Sequence, residues 1–134
     1  ASNSNLKMLV SIAGIVETDK FFEREFGKLS PGGSYMWDDL EYPLSRSFAL
    51  AMKEVASIAN CSSAIRIPWL LVHGTSDSLV PLKDSQIISN ELPGTRKLIE
   101  INGADHVFSE ESMGQMTEVV LDWIAHELSS LRNN

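Results

Sequence analysis

The stretch Pro68-Trp69-Leu70-Leu71-Val72-His73-Gly74-Thr75-Ser76-Asp77-Ser78-Leu79-Val80-Pro81 changes character halfway along, and that change decides the fold. Ile67 to Val72 is a short, wholly apolar run, the pattern of a strand buried on both faces of a parallel sheet. A turn rich in Gly, Ser and Asp follows it. From Pro81 to Leu92 the residues Leu82, Ser85, Ile88 and Leu92 then recur at helical spacing until Pro93-Gly94 ends the helix. Lys97 to Ile101 reads as the next strand. Strand, helix and strand in this order predict a parallel pair joined by a right-handed crossover.

The flanks extend the same α/β pattern. Leu6 to Val16 is nearly all apolar and reads as a further strand buried on both faces. After Glu110 and Glu111, a Ser112-x-x-Gln115 capping-box pattern opens a long amphipathic helix with Met113, Met116, Val120, Trp123, Ile124, Leu128 and Leu131 on its core face. Residues 19–64 differ from the rest. Phe21, Phe22, Phe26, Tyr35, Trp37, Tyr42 and Phe48 are seven of the ten aromatic residues of the chain. The segment reads either as a small helical cap inserted over the strand ends or as a helical connection whose aromatics pack on the sheet; we take the cap. The predicted architecture is thus one α/β unit over residues 1–134, with parallel strands, crossover helices and residues 19–64 as the insertion.

Two polar groups stand at matching places in this pattern. Asp77 lies five residues beyond Val72, and His106, in Gly103-Ala104-Asp105-His106, lies five residues beyond Ile101. Both therefore fall past the carboxyl ends of strands, where open α/β sheets build their sites. If the strands are neighbours, the two loops emerge side by side and a carboxylate–imidazole hydrogen bond becomes feasible. In such a pair Asp77 would fix the tautomer and stabilise the imidazolium, and His106 would act as general base and then general acid toward a serine nucleophile. Taken singly, Asp77 also reads as a turn-capping residue and His106 as a loop histidine bonded to backbone. Asp84 and Asp105 are lesser candidates for the acid, the first inside a helix and the second adjoining the histidine it would face. His73 reads as closing its strand by hydrogen bonding, and His126 as exposed on the last helix. A metal site from His73, Asp77 and His106 lacks the accompanying His-Glu-x-x-His or Cys-x-x-Cys spacing, and no glycine-rich phosphate loop occurs. Neither metal nor cofactor is predicted.

Composition narrows the classes further. A formal charge of -7 over 134 residues, with no basic cluster, disfavours nucleic acid. No apolar run approaches the roughly 20 residues that span a bilayer. The single cysteine, Cys61, cannot form an internal disulfide and fits a reducing, cytoplasmic setting. Ala1-Ser2-Asn3-Ser4 carries no initiator Met, no basic region and no apolar region, so it is read as a processing boundary.

The segments Pro68 to Pro81 and Gly103-Ala104-Asp105-His106-x-Phe108 together resemble the acid and histidine segments of the α/β-hydrolase fold serine hydrolases. They look most like feruloyl or cinnamoyl esterase-like and related carboxylesterase members. The resemblance runs over residues 5–130 in segment order and implies a serine esterase working through an acyl-enzyme on a small-molecule ester. It also implies a nucleophile elbow, Gly-x-Ser-x-Gly, on the strand before the one starting at Leu6, with oxyanion-hole amides nearby. No such pentapeptide is present. Gly32-Gly33-Ser34-Tyr35-Met36 and Gly74-Thr75-Ser76-Asp77-Ser78 match only its first half. The chain is therefore expected to be the C-terminal half of a hydrolase. A missing N-terminal half or a second chain would carry the serine and cover an open sheet edge. The competing expectations are a non-catalytic interaction module of the same fold, and a peptidase or lipase.

Overall fold

The computed structural model describes residues 5–27, 34–91, 95–109 and 111–132. They form two compact units, one of residues 1–14 and 61–134 and the other of Ile15–Asn60. The elements in chain order are β1 (Leu9–Ile12), α1 (Thr18–Phe26), β2 (Ser34–Tyr35), a 3₁₀ turn at Met36–Asp38, β3 (Pro43–Leu44), α2 (Arg46–Val55), α3 (Ala59–Ser62), β4 (Trp69–Gly74), α4 (Leu82–Glu91), β5 (Arg96–Ile101) and α5 (Glu111–Arg132). Among the described residues no helix is long and apolar enough to cross a membrane.

In the first unit β1, β4 and β5 make a parallel sheet in the order β1-β4-β5, so the expected strand–helix–strand unit is β4-α4-β5. The register pairs Leu9 with Trp69 and Ile12 with Val72 on one side, and Trp69 with Arg96 and Gly74 with Ile101 on the other. β4 is buried along its whole length. Its Leu70 and Val72 join Ala13, Ile101, Ala104, Phe108 and Trp123 in a core that Met116, Val119, Val120 and Ile124 of α5 close. By strand alternation Leu71 and His73 face the other way, and His73 bonds Ser85 of α4 there. Leu70, Leu71 and Val72 are fully or almost fully buried, worth about 2 kcal/mol each in hydrophobic transfer, which makes β4 the anchor of the unit.

Two sequence expectations need correction. The strand foreseen over Leu6 to Val16 runs only from Leu9 to Ile12, because Ala13 takes φ +46° and turns the chain away. Nor is β1 buried on both faces: Ile12 is 44% exposed, and among the described residues only β4 pairs with this strand. The apolar stripe of α5 is also only partly core, since Met113, Leu128 and Leu131 stay exposed while Trp123 is buried. Leu92, Pro93-Gly94 and Glu110, offered as helix-end signals, lie outside the described residues, as do Gly32-Gly33 of the half-matched elbow and Ala1 to Ser4.

Arg96 begins β5 one residue earlier than the apolar pattern suggests. Its guanidinium donates to the Ile88 carbonyl at 2.6 Å, the Ser62 carbonyl at 2.6 Å and Glu91 at 3.2 Å, and it lies 5.2 Å over the Trp69 ring. One buried cation thereby ties α3 and α4 to the amino end of the sheet.

The second unit has its own small core of Phe22, Leu44 and Ala49, with Phe26, Met36, Phe48 and Met52 packed on it. Thr18 Oγ1 donates to the carbonyls of Met52 and Ala56, fastening α1 to the end of α2, and Ser45 caps α2 by accepting from the Phe48 amide. An antiparallel pairing of β2 with β3 joins the helices, a feature absent from the helical reading of this segment. Two-residue strands carry no period-2 signal to read.

Candidate active site

The loops after β4 and β5 are joined by backbone bonds before any functional side chain is considered. The Thr75 amide donates to the Ile101 carbonyl at 3.0 Å and the Ser76 amide to the Ala104 carbonyl at 2.9 Å. The Gly103 amide donates to Thr75 Oγ1 at 2.8 Å. These bonds require the two chains to approach closely, and Gly74 permits it. A Cβ there would stand 2.3 Å from the Ala104 carbonyl oxygen and 2.9 Å from that of Asp105.

On this scaffold Asp77 and His106 meet. His106 Nδ1 lies 2.9 Å from Asp77 Oδ2. A carboxylate only accepts, so the proton sits on Nδ1, and in the neutral ring Nε2 keeps its lone pair. Among the described residues Nε2 has no hydrogen-bond partner, and the His106 side chain is 33% exposed while that of Asp77 is fully buried. Asp77 Oδ1 accepts from the amides of Leu79 at 2.9 Å and Val80 at 2.8 Å. Asp77 thus caps its own turn through Oδ1 and meets the His106 ring through Oδ2. The arrangement is an oriented imidazole with an open basic nitrogen and a dry carboxylate behind it, able to take a proton from a hydroxyl and return it to a leaving group.

The lesser acid candidates are elsewhere. Asp84 is buried in α4. Asp105 turns away from His106 and accepts from the Ser109 amide at 2.9 Å and from Ser109 Oγ at 2.6 Å. The capping box expected at Ser112 does not form: α5 already begins at Glu111, so Ser112 lies inside its first turn and its hydroxyl donates to the Ser109 carbonyl. The pattern Ser-x-x-Gln misled because the helix starts one residue before Ser112, which leaves that serine no cap position to fill. The Ser109 hydroxyl, and after it the Ser109 amide, hold the Asp105 carboxyl below the usual carboxylate range. Its folded pKa is depressed, so its contribution is complete above the unfolded value near 4 and is lost as pH falls through the folded one. Asp105→Ala is therefore expected to lower Tm at pH 7, with the gap to wild type closing below about pH 4; a gap that widens in acid contradicts the assignment.

His126 is exposed on α5. His73 is fully buried in β4 with both ring nitrogens bonded, and its nearness to Asp77 Oδ2, at 3.3 Å, was not foreseen. A polar ring in a strand otherwise filled by apolar side chains must find partners, and that was the signal available. Among the described residues no group of three or more His, Cys, Asp or Glu is arranged to hold a metal ion.

No protein-family model and no curated protein matches this sequence. Solved structures do. Est1E from Butyrivibrio proteoclasticus superposes with a TM-score of 0.78 at 20% identity, covering 94% of this chain and 53% of that one. Alpha/beta hydrolase domain-containing protein 10 from mouse gives 0.64 at 15% identity over 90% of this chain and 52% of that one. A monoacylglycerol lipase from Paleococcus ferrophilus gives 0.58 at 17% identity, over 91% and 60%. The chain spans little more than half the length of these proteins, and over that span its fold is the α/β-hydrolase fold.

Proposed function

We propose that residues 1–134 supply the acid and the base of a serine hydrolase that cleaves esters through an acyl-enzyme. The observation that carries this reading is the 2.9 Å bond from His106 Nδ1 to buried Asp77, which leaves Nε2 open. In the proposed cycle Nε2 takes the proton of a serine hydroxyl as its oxygen attacks the ester carbonyl, and Asp77 stabilises the imidazolium so formed. His106 then gives the proton to the departing alcohol. Water enters, is deprotonated by the same nitrogen, attacks the acyl-enzyme and releases the acid, returning the proton to the serine. The serine and the oxyanion donors come from a segment outside residues 1–134. Support for this is the lack of a Gly-x-Ser-x-Gly elbow in the sequence and a span of about half the length of Est1E. Ester substrates are favoured by the names of the similar structures, among them an esterase domain from Rhodothermus marinus, a lipase, and Est1E with ferulic acid bound.

The test is a panel of short-acyl, long-acyl and hydroxycinnamoyl esters given to the full-length protein. Turnover of at least one class is expected. No turnover of any, with no reaction toward a fluorophosphonate, would overturn the reading in favour of a non-catalytic module of the same fold.

A further inference from the structure

We infer that His73 is a positioning residue of this site, holding the Asp77 carboxylate in the orientation that fixes the His106 ring; the inference rests on the acid–base reading of that pair. His73 is fully buried at the centre of the sheet, where an imidazole is tolerated only if its nitrogens are bonded. Its Nε2 lies 2.9 Å from the Val80 carbonyl oxygen. A carbonyl only accepts, so the N–H is on Nε2. In the neutral ring Nδ1 must then accept, and the Ser85 hydroxyl at 2.7 Å donates to it. The Val80 carbonyl thereby selects the tautomer, and the buried Ser85 hydroxyl conforms to it.

That Nε2–H is given to the Val80 carbonyl, and the same polar edge of the ring stands 3.3 Å from Asp77 Oδ2, the oxygen that accepts from His106, as an electrostatic contact and not a hydrogen bond. Oδ1 thus accepts from the Leu79 and Val80 amides and Oδ2 from the His106 imidazole, while the His73 ring edge backs Oδ2 at 3.3 Å. A carboxylate with donors on both sides cannot rotate without losing bonds. Val80 links the two halves, since its amide binds Asp77 and its carbonyl binds His73. A merely structural His73 would hold the strand and leave the state of His106 untouched; a positioning His73 sets it.

The experiment is ¹⁵N NMR of the imidazoles in the protein, alongside ester kinetics, for wild type, His73→Leu and His73→Gln. In wild type His73 is expected as the Nε2–H tautomer and His106 as Nδ1–H. In His73→Leu, His106 is expected to become a mixture of tautomers and kcat to fall about 10-fold, with KM moving less than about 2-fold. His73→Gln, which keeps an N–H donor, recovers part of that loss. A folded His73→Leu protein with an unchanged His106 tautomer and kcat overturns the inference. Should that variant not fold, His73→Gln decides: a His106 tautomer and kcat equal to wild type overturn the inference, and a shift of both supports it. Absence of ester turnover with the tautomer response intact refutes the hydrolase reading and leaves the positioning role standing.

Discussion

Asp77→Asn is expected to reduce ester turnover by about 10⁴-fold and to destabilise the fold as well. The reason is that the carboxylate accepts on both oxygens, from two backbone amides at Oδ1 and from the His106 imidazole at Oδ2. An asparagine must put its own amino group against the donors on one side. Turned toward His106, it drives the imidazole to the wrong tautomer, with its proton on Nε2, and removes the base. Turned toward Leu79 and Val80, it leaves buried amides without an acceptor and loosens the turn that carries residue 77. Either way at least about 2 kcal/mol of stability is lost, the usual cost of unsatisfied buried donors. Steady-state kinetics together with chemical denaturation measure both effects. Activity within tenfold of wild type contradicts the role given to Asp77.

Gly74→Ala is expected to cost about 3 kcal/mol, as overpacking against fixed backbone does, and to lower turnover about 100-fold or more through displacement of the base. The new methyl would stand 2.3 Å from the Ala104 carbonyl oxygen and 2.7 Å from its carbon. No side chain can swing aside to make room, because the obstacle is main chain. The Ala104 carbonyl is moreover held by the Ser76 amide, so relief must come from parting the two loops that bring Asp77 to His106. Gly103→Ala is the control. At Gly103 nothing lies within 4 Å of an added Cβ, and only its φ of +75° opposes the change, a cost of about 1 kcal/mol with turnover kept. Equal losses at the two glycines would show that backbone conformation, not the close approach, governs the site.

The parts of this molecule that were legible in the sequence are those written in patterns of a few adjacent residues. An apolar run followed by Gly, Ser and Asp marked β4 and its loop, and the matching run before Gly103 marked β5, so the strand-end positions of Asp77 and His106 followed from counting. What was not legible depends on distances across the sheet. Nothing local says that Gly74 touches Ala104, that the His73 ring comes within 3.3 Å of Asp77, or that Arg96 binds carbonyls of Ser62 and Ile88. The length of β1 was overestimated because apolarity continues through Ala13 while the backbone does not. At α5 a local pattern was present but out of register, since the helix begins at Glu111 and Ser112 falls inside its first turn.

The central claim is that His106, oriented by Asp77, drives acyl transfer to a serine outside residues 1–134. Its most direct test is mass-spectrometric mapping of the fluorophosphonate adduct in the full-length protein and in its His106→Ala variant. An adduct is expected on a serine beyond this segment in the wild type, with labelling lost in the variant. An adduct on a serine within residues 1–134, or labelling that proceeds unchanged without His106, would contradict it.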